Sequence, residues 1–407
     1  MIWTLAFRNI RSNVRRSIIS ILAIAVGLAV LIFSGTLRVG QYDTLVHSGV
    51  SQLAGHVVIQ KEGFQENKEP SFILEDATLI RKKLQKIFPK STITTRTYMG
   101  GLLSSTSNPT FLTITGVDPS AEALVSDMPT KLIEGEWLSD DSRDILIGRN
   151  TAEMLKVKLN DKLVFTISVD GEMNAQLFRV KGIFSTGSDE MDAFTGFVHY
   201  KATEQLLSQP NAAHQVAVHL PDVFDTDTAV AQTKTLISTP NTEVLSWKEA
   251  LPDIINMIEV DKIANLLINF VLFSIVALGI VNTMLMSVLE RLNQFGVLMS
   301  IGVKLKLLVR MIVYEGIILG IIGSLVGIVL GIIVSYPIVE YGLDLSNRVG
   351  DGIQIGGTVN SAILYGKYSP TLIGFYAIFA LVFSVLSTFY PAYKLSTLNP
   401  IEAMRHQ

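Results

Sequence analysis

No cysteine occurs among the 407 residues, which removes disulfides, thiolate metal sites and cysteine nucleophiles from consideration. Charge is also scarce. Charged residues make up 17% and hydrophobic residues 49%, where a soluble domain carries about 25% charged residues. The G-x-S-x-G, H-E-x-x-H and G-x-x-x-x-G-K-[ST] patterns are all missing, so the chain offers no serine-hydrolase elbow, no zincin helix and no phosphate-cradling P-loop. Six histidines are present, at His47, His56, His199, His214, His219 and His406. His214 and His219 are five apart on an expected strand, so they face opposite sides and do not share a metal. The acidic runs "SDDSRD" and "SDEMD" lack the spacing of a twelve-residue calcium loop and read as solvated acidic surface.

What the chain does have is length without charge. Four segments, 17–38, 263–289, 311–336 and 370–391, are apolar over about 20 residues, enough at about 1.5 Å per residue to cross about 30 Å of hydrocarbon. The first follows Arg8, Arg11, Arg15 and Arg16 as a signal peptide would. It exceeds the 7–15-residue signal core, however, and no small-x-small site follows it, so it reads as an uncleaved anchor. Between the first and second spans, Val39 to Lys262 holds 20 Lys/Arg and 30 Asp/Glu, a net charge of −10. Such an acidic insert argues against a nucleic-acid partner. Cations flank the start of span one, fill the 290–310 segment (Arg291, Lys304, Lys306, Arg310) and follow span four (Lys394, Arg405). The bias predicts both termini and the 290–310 segment inside, with the insert 39–262 and the 337–369 loop outside.

The expected fold is an α-helical membrane protein with four transmembrane helices and a large extracytoplasmic α+β domain between helices 1 and 2. Residues 1–16 have Trp3, Phe7, Ile10 and Val14 at helical spacing, which predicts an amphipathic helix at the inner surface. In the tail 392–407, Asn399, Pro400 and Glu402 are the N-cap, first-turn proline and capping-box acid of another short helix. Inside the insert, "GHVVIQ" and "TFLTITGVD" read as strands, and Asp76 to Pro89 reads as a helix with Leu79, Ile80, Leu84 and Ile87 on its apolar stripe. The order of elements suggests a discontinuous subdomain, 39–118 with 210–250, and a β-rich one, 119–209, inserted between its parts.

Span three carries Gly316/Gly320 and Gly323/Gly327/Gly331 at four-residue spacing, a pattern that lets another backbone approach closely. Span one, span two or a second copy could equally be that neighbour. Glu315 is the acid nearest the interior of a span; its shallow depth suits reaching back to the inner interface, while intramembrane acids are often functional. Between spans two and three, Leu292, Phe295, Leu298, Met299 and Val303 share one helical face, and Gly296 and Gly302 allow close approach or a turn.

"NTMLMSVLERLNQFGVLMSIGV", "YEGIILGIIGSLVGIVLG" and the terminal "YPAYKLSTLNPIEAMRHQ" resemble the membrane signatures of the FtsX-like ABC transporter permeases, the group that includes MacB-type exporters and the LolC and LolE permeases. Leu395 departs from the small residue usual at that place. "GHVVIQKEGF", "GVDPSAEALVS", "LIEGEWL", "ILIGRNTAEMLKVKLNDKL" and "FRVKGIFSTGSDEMD" are most similar to the lipoprotein-release branch. The resemblance implies a non-enzymatic transporter subunit of the inner membrane that binds no cofactor itself. ATP and Mg would reside on a separate cytoplasmic ABC ATPase. It further implies a second permease copy, as homodimer or heterodimer, contact with membrane lipid, and a lipoprotein or periplasmic carrier outside. Glu290, Arg291, Phe295, Gly296, Leu298, Gly302 and Lys304 would form the segment pushed by the ATPase. Three roles fit such a permease: lipoprotein release from the inner membrane, MacB-type export of a peptide, toxin or drug, and regulation of cell-wall hydrolases, for which the insert is long.

Overall fold

The computed structural model describes residues 8, 11, 14–106, 108–169, 171–221, 226–237, 239–290, 292–349, 352–355 and 358–396. The expected helices within 1–16 and at 399–407 lie almost wholly outside the described residues. The chain divides into two compact units. One comprises 1–42, 259–343 and 364–407; the other comprises 43–258 and 344–363.

The first unit is helical. Its elements are α1 (Val14–Gly49), α4 (Pro252–Leu289), α5 (Leu292–Ser300), α6 (Leu305–Glu340) and α7 (Pro370–Ser396), with α2 and α3 reserved for the other unit. Four of these are long and apolar enough to cross a membrane. α1 and α4 run well past the expected ends of spans one and two, into the sequence assigned to the insert. Burial is uneven: 44% of the most apolar window of α1 is buried, against 17% in α4. The core joins Ile24, Leu28, Leu31 and Ile32 of α1 to Phe273 and Ile280 of α4, Leu319 of α6 and Tyr376 of α7.

The second unit is built on one mixed sheet of ten strands: β1 (Val57–Lys61), β2 (Thr92–Ser104), β3 (Pro109–Val117), β4 (Leu132–Gly135), β5 (Asp144–Gly148), β6 (Lys162–Val169), β7 (Glu172–Phe184), β8 (Thr195–His199), β9 (Gln215–His219) and β10 (Thr242–Ser246). The order is β10-β1-β9-β2-β3-β8-β5-β7-β4, with β6 pairing β2 and β7. β9, "QVAVH", is buried at every position and lies between β1 and β2, as a continuous apolar run covered on both faces should. The sheet therefore passes without a break through the expected division at 118/119 and 209/210. What divides is the core: one cluster contains Val57, Leu84, Val216 and Val230, another Leu112, Ile147, Phe165 and Phe178, and a third Val117, Leu146, Phe184 and Phe197.

Helices α2 (Ala77–Ile87) and α3 (Thr226–Leu236) contribute to the first of these clusters. The stripe expected on α2 is corrected here. Ala77, Ile80 and Leu84 are buried, whereas Leu79 and Ile87 are exposed: Leu79 lies about 100° around the helix from Ile80, off the strand-facing arc, and Ile87 is the last residue of the helix. A further antiparallel pair, Gly352–Ile355 with Thr358–Ser361, comes from the sequence between the third and fourth long helices. It belongs to this unit through Gln52, whose side-chain amide donates to the Val359 carbonyl (2.9 Å) and accepts from the Val359 N–H (3.0 Å).

Buried histidines punctuate the sheet. His214 accepts from the Tyr98 N–H at Nδ1 (2.9 Å) and stacks on Phe64. His219 Nε2 meets the Thr94 hydroxyl at 3.0 Å. Burial holds His214 down to about 4 and His219 to about 2, so both fold as neutral imidazole. Below about 6.5 the unfolded chain binds protons that the folded chain refuses, so stability is full above that value and is lost as pH falls. We predict a loss of about 2 kcal/mol per histidine between pH 7 and pH 5. Thermal unfolding across this range should therefore show a slope that is flattened in the His214→Asn/His219→Gln variant. An unchanged slope in that variant would refute the assignment.

Candidate functional site

Hydrocarbon offers no hydrophobic drive between helices, so a membrane bundle coheres by close packing and buried polar contacts. The five glycines of α6 do this on two faces. A Cβ at Gly323, Gly327 or Gly331 would stand 2.8–2.9 Å from the Cβ of Ile24, Leu28 or Ile32 of α1. Gly316 and Gly320 instead meet Thr388 and Ser384 of α7, and the Ser384 hydroxyl donates to the Gly316 carbonyl (3.2 Å). The two glycine series thus have two different neighbours in the same chain. Glu315 is buried, 6% exposed.

A polar ladder that the sequence analysis missed runs along α4. Asp261, Asn265 and Asn269 stand at four-residue intervals, and that spacing was its signal. Asp261 accepts from the Tyr42 hydroxyl and from Asn265 Nδ2 (2.7 Å), with Arg38 Nε at 3.7 Å. Asn269 donates to the Tyr376 hydroxyl (3.3 Å). These contacts tie α4 to α1 and α7 where apolar packing of α4 is thin.

The segment between the second and third long helices forms an elbow. Phe295, Gly296, Leu298 and Met299 of α5 turn inward, and Phe295, Leu298, Met299 and Val303 pack with Val288, Leu308, Ile312 and Ala392. Gly302 closes the helix at φ +95°. Its N–H bonds to Met299 O (3.1 Å) and that of Val303 to Leu298 O (3.0 Å), the paired bonds of a Schellman cap that requires a left-handed residue. The apolar face of the segment thus packs on the chain's own helices. Val297 and Ile301, 56% and 72% exposed, lie on the other side with Gln294, followed by exposed Lys304 and Lys306. Glu290 is exposed at the end of α4, and Arg291 lies outside the described residues.

In the second unit the acidic runs are partly corrected. Asp140, Asp141, Asp189 and Glu190 are exposed. Asp192, however, is 1% exposed and accepts from Ser185 Oγ, Thr186 N and Thr186 Oγ1. Asp144 is likewise buried and accepts from Ser139 Oγ. Local hydroxyl and N–H donors satisfy these carboxylates, which is why they can be buried.

The described residues thus combine four helices long and apolar enough to cross a membrane with an α+β domain inserted in sequence between the first two. Residues 17–236 match the MacB-like periplasmic core domain, and residues 266–400 match the FtsX-like permease C-terminal domain. The chain belongs to this FtsX/MacB-type permease family. It is 22% identical over 411 residues to an uncharacterized ABC transporter permease of Methanocaldococcus jannaschii, covering 99% of this chain and 97% of that protein. It is 22% identical to the lipoprotein-releasing system transmembrane protein LolC of Neisseria meningitidis, over 72% of each chain. It is 24% identical to the macrolide export ATP-binding/permease protein MacB of Bdellovibrio bacteriovorus, over 98% of this chain and 61% of that one. Permeases of this family work with a cytoplasmic ATPase and usually a second permease copy.

Two predictions concern the bundle and elbow. Gly327→Val forces a side chain onto Leu28 and the Ala25 carbonyl, at a cost of about 1–3 kcal/mol. Gly279→Val, with no atom within 4 Å of its added Cβ, should leave thermal stability in detergent unchanged; equal effects of the two would contradict the seam. Gly302→Val should cost about 1–2 kcal/mol through the left-handed backbone alone, read as a lower unfolding midpoint.

Proposed function

We propose that this permease couples ATP hydrolysis on a separate cytoplasmic ATPase to movement of its inserted domain, which lies outside the inner membrane, and that its cargo is lipoprotein leaving that membrane. The observation that carries the coupling is the elbow. Its inner face packs against apolar residues of α4, α6 and α7, so force applied to its outer face would be delivered to three spanning helices at once. Val297 and Ile301 are the apolar anchors offered to the ATPase, and the cationic rim of Lys304 and Lys306 supports a cytoplasmic position for this segment. Buried Phe295 and Gly296, half-buried Leu298 and the left-handed Gly302 keep the elbow in shape, and Glu290 precedes it; Arg291 is assigned to the same coupling segment by sequence. The chain's lack of a P-loop fits a partner that holds ATP and Mg. α4, the least buried spanning helix, suits contact with lipid and with a second permease copy.

Lipoprotein as cargo rests on the likeness to LolC and on the outer-domain motifs. MacB-type export is the second reading, favoured by the match of residues 17–236 to the MacB-like core domain; it would require an adaptor and an outer-membrane duct.

Two experiments test the proposal. In a reconstituted complex, Val297→Asp/Ile301→Asp should lower ATPase co-purification by about tenfold or more, as loss of two interface anchors does, with the bundle still folded. Retention of the ATPase would place the contact elsewhere. For cargo, depletion followed by membrane fractionation should leave lipoproteins in the inner membrane; normal departure would exclude them and leave the export reading.

A further inference from the structure

The cations of the inserted domain are unevenly spread. Of the 20 Lys/Arg between 39 and 262, Arg81, Lys82, Lys83, Lys86 and Lys90 stand in 81–90 with no acid among them. The insert is −10 overall and this run is +5, which leaves −15 for the rest. Arg81 is already committed to Asp118, at 2.6 Å. The four lysines are exposed, and none of them makes an ion pair among the described residues.

Their placement on α2 is one-sided. At about 100° per residue, Leu79, Lys82, Lys83 and Lys86 occupy an arc of about 100°, turned away from buried Ala77, Ile80 and Leu84. Leu79, 52% exposed, lies within that arc, and exposed Ile87 borders it. A cation in the last turn favours a helix C-terminus, which accounts for Lys86 but not for Lys82 and Lys83. An exposed leucine among ammonium groups is what a helix shows when it lies against lipid headgroups.

The register of the sheet fixes which end of the domain carries this face. β1 starts at Val57, which pairs with Ser246 at the end of β10 and with Val218 of β9. Ile93, at the start of β2, pairs with Val218 as well. α1 leads through Val50–Ala54 into β1, and β10 leads through Trp247–Ala250 into α4. Lys90 comes just before β2, so the cationic end of α2 is level with both places where the chain passes to a membrane-length helix. Acids are also present at this end: Asp227 in the first turn of α3, Glu249, which accepts from the Ser246 N–H and hydroxyl, and Asp253 in the first turn of α4. They belong to other elements; α3 lies over β1 and β10, whereas α2 lies over β2 and β9.

Lysine is an ammonium point charge without the guanidinium fork, so it suits a diffuse phosphate layer better than a fixed carboxylate. The membrane that anchors the chain is such a layer, and two covalent tethers keep it at high effective concentration beside the domain. It repels a remainder of −15, so the α2 edge is the side that can approach it. We propose that the outward face of α2 docks on the anionic phospholipid headgroups of that membrane, through Lys82, Lys83, Lys86 and Lys90 with Leu79 set among them. The docking rests on the spanning helices as anchors, and on neither the ATPase coupling nor the cargo.

The full chain, reconstituted in vesicles, provides the test. It has no cysteine, so Gln85→Cys, at an exposed position beside the lysines, takes a single fluorophore whose quenching by a nitroxide-headgroup lipid reports contact. Replacing part of the phosphatidylcholine by phosphatidylglycerol should raise the quenching at least about fivefold, the worth of one lysine at an anionic surface. Salt at about 1 M, which screens charges beyond about 3 Å, should reverse the rise. Lys82→Glu/Lys83→Glu/Lys86→Glu/Lys90→Glu should remove it, and the matching quadruple Lys→Gln variant decides the matter if the Glu variant does not fold. A fluorophore on Met173→Cys, an exposed position on β7, should show no such rise. No dependence on phosphatidylglycerol, a rise kept by the folded lysine variants, or an equal rise at Met173→Cys would each overturn the proposal. Lysines shielded from acylation in native membranes yet indifferent to phosphatidylglycerol would assign the face to an acidic protein and overturn it as well.

Discussion

The helical unit depends on one constraint: α6 must come within a backbone's width of α1. Between apolar helices in lipid only dispersion and a few polar contacts favour association, and dispersion falls steeply with distance. Three glycines on α6 remove the side chains that would hold the two helices apart, and the β-branched or branched residues Ile24, Leu28 and Ile32 fill the space. With that seam closed, Gly316 and Gly320 present the remaining face of α6 to α7, and α1 is left free to pack Gly27 against Val276 of α4. α4 has no comparable glycine seam on α6 and relies on the ladder from Asp261 to Asn269.

The elbow follows the same logic at smaller scale. Nine residues of α5 are too few to be stable alone, so the helix exists because its apolar face is buried on the neighbouring spans and its end is fixed by the Gly302 cap. An element held this way moves with the helices beneath it. The inserted domain solves a different problem: among the described residues its wide sheet carries three separate apolar clusters, and the fork between Arg96 and Glu122 is buried within it.

Much of this was legible in the sequence because it rests on local periodicity or composition. The four spans, the acidic insert and the glycine series at 316/320 and 323/327/331 are of that kind, and the membrane signatures named the family. What was not legible depends on which surfaces meet. The glycine spacing shows that a backbone approaches, yet Thr388 and Ile24 are distant in sequence and neither is marked as the partner. The stripe through Phe295 and Leu298 was legible as one face; a short helix with Val297 and Ile301 opposite it carries two apolar sides, and only the fold says which is covered. Asp192 looked like surface because its donors, Ser185 and Thr186, are ordinary hydroxyl residues until a turn gathers them. Asp261, Asn265 and Asn269 kept a helical rhythm that was overlooked because apolar residues surround it.

The contact between Gln52 and Val359 has a consequence for how this chain can change over generations. The glutamine amide reads a backbone N–H and C=O, which every residue but proline presents in the same way. The side chain at 359 is therefore not what makes this contact, and other contacts share the docking of the segment: Ser188 donates to Gln354 (2.6 Å), and Gly352 lies against the Thr186 carbonyl. Drift should accordingly be restrained at 52, 188, 352 and 354 together, and freer at exposed Ser361.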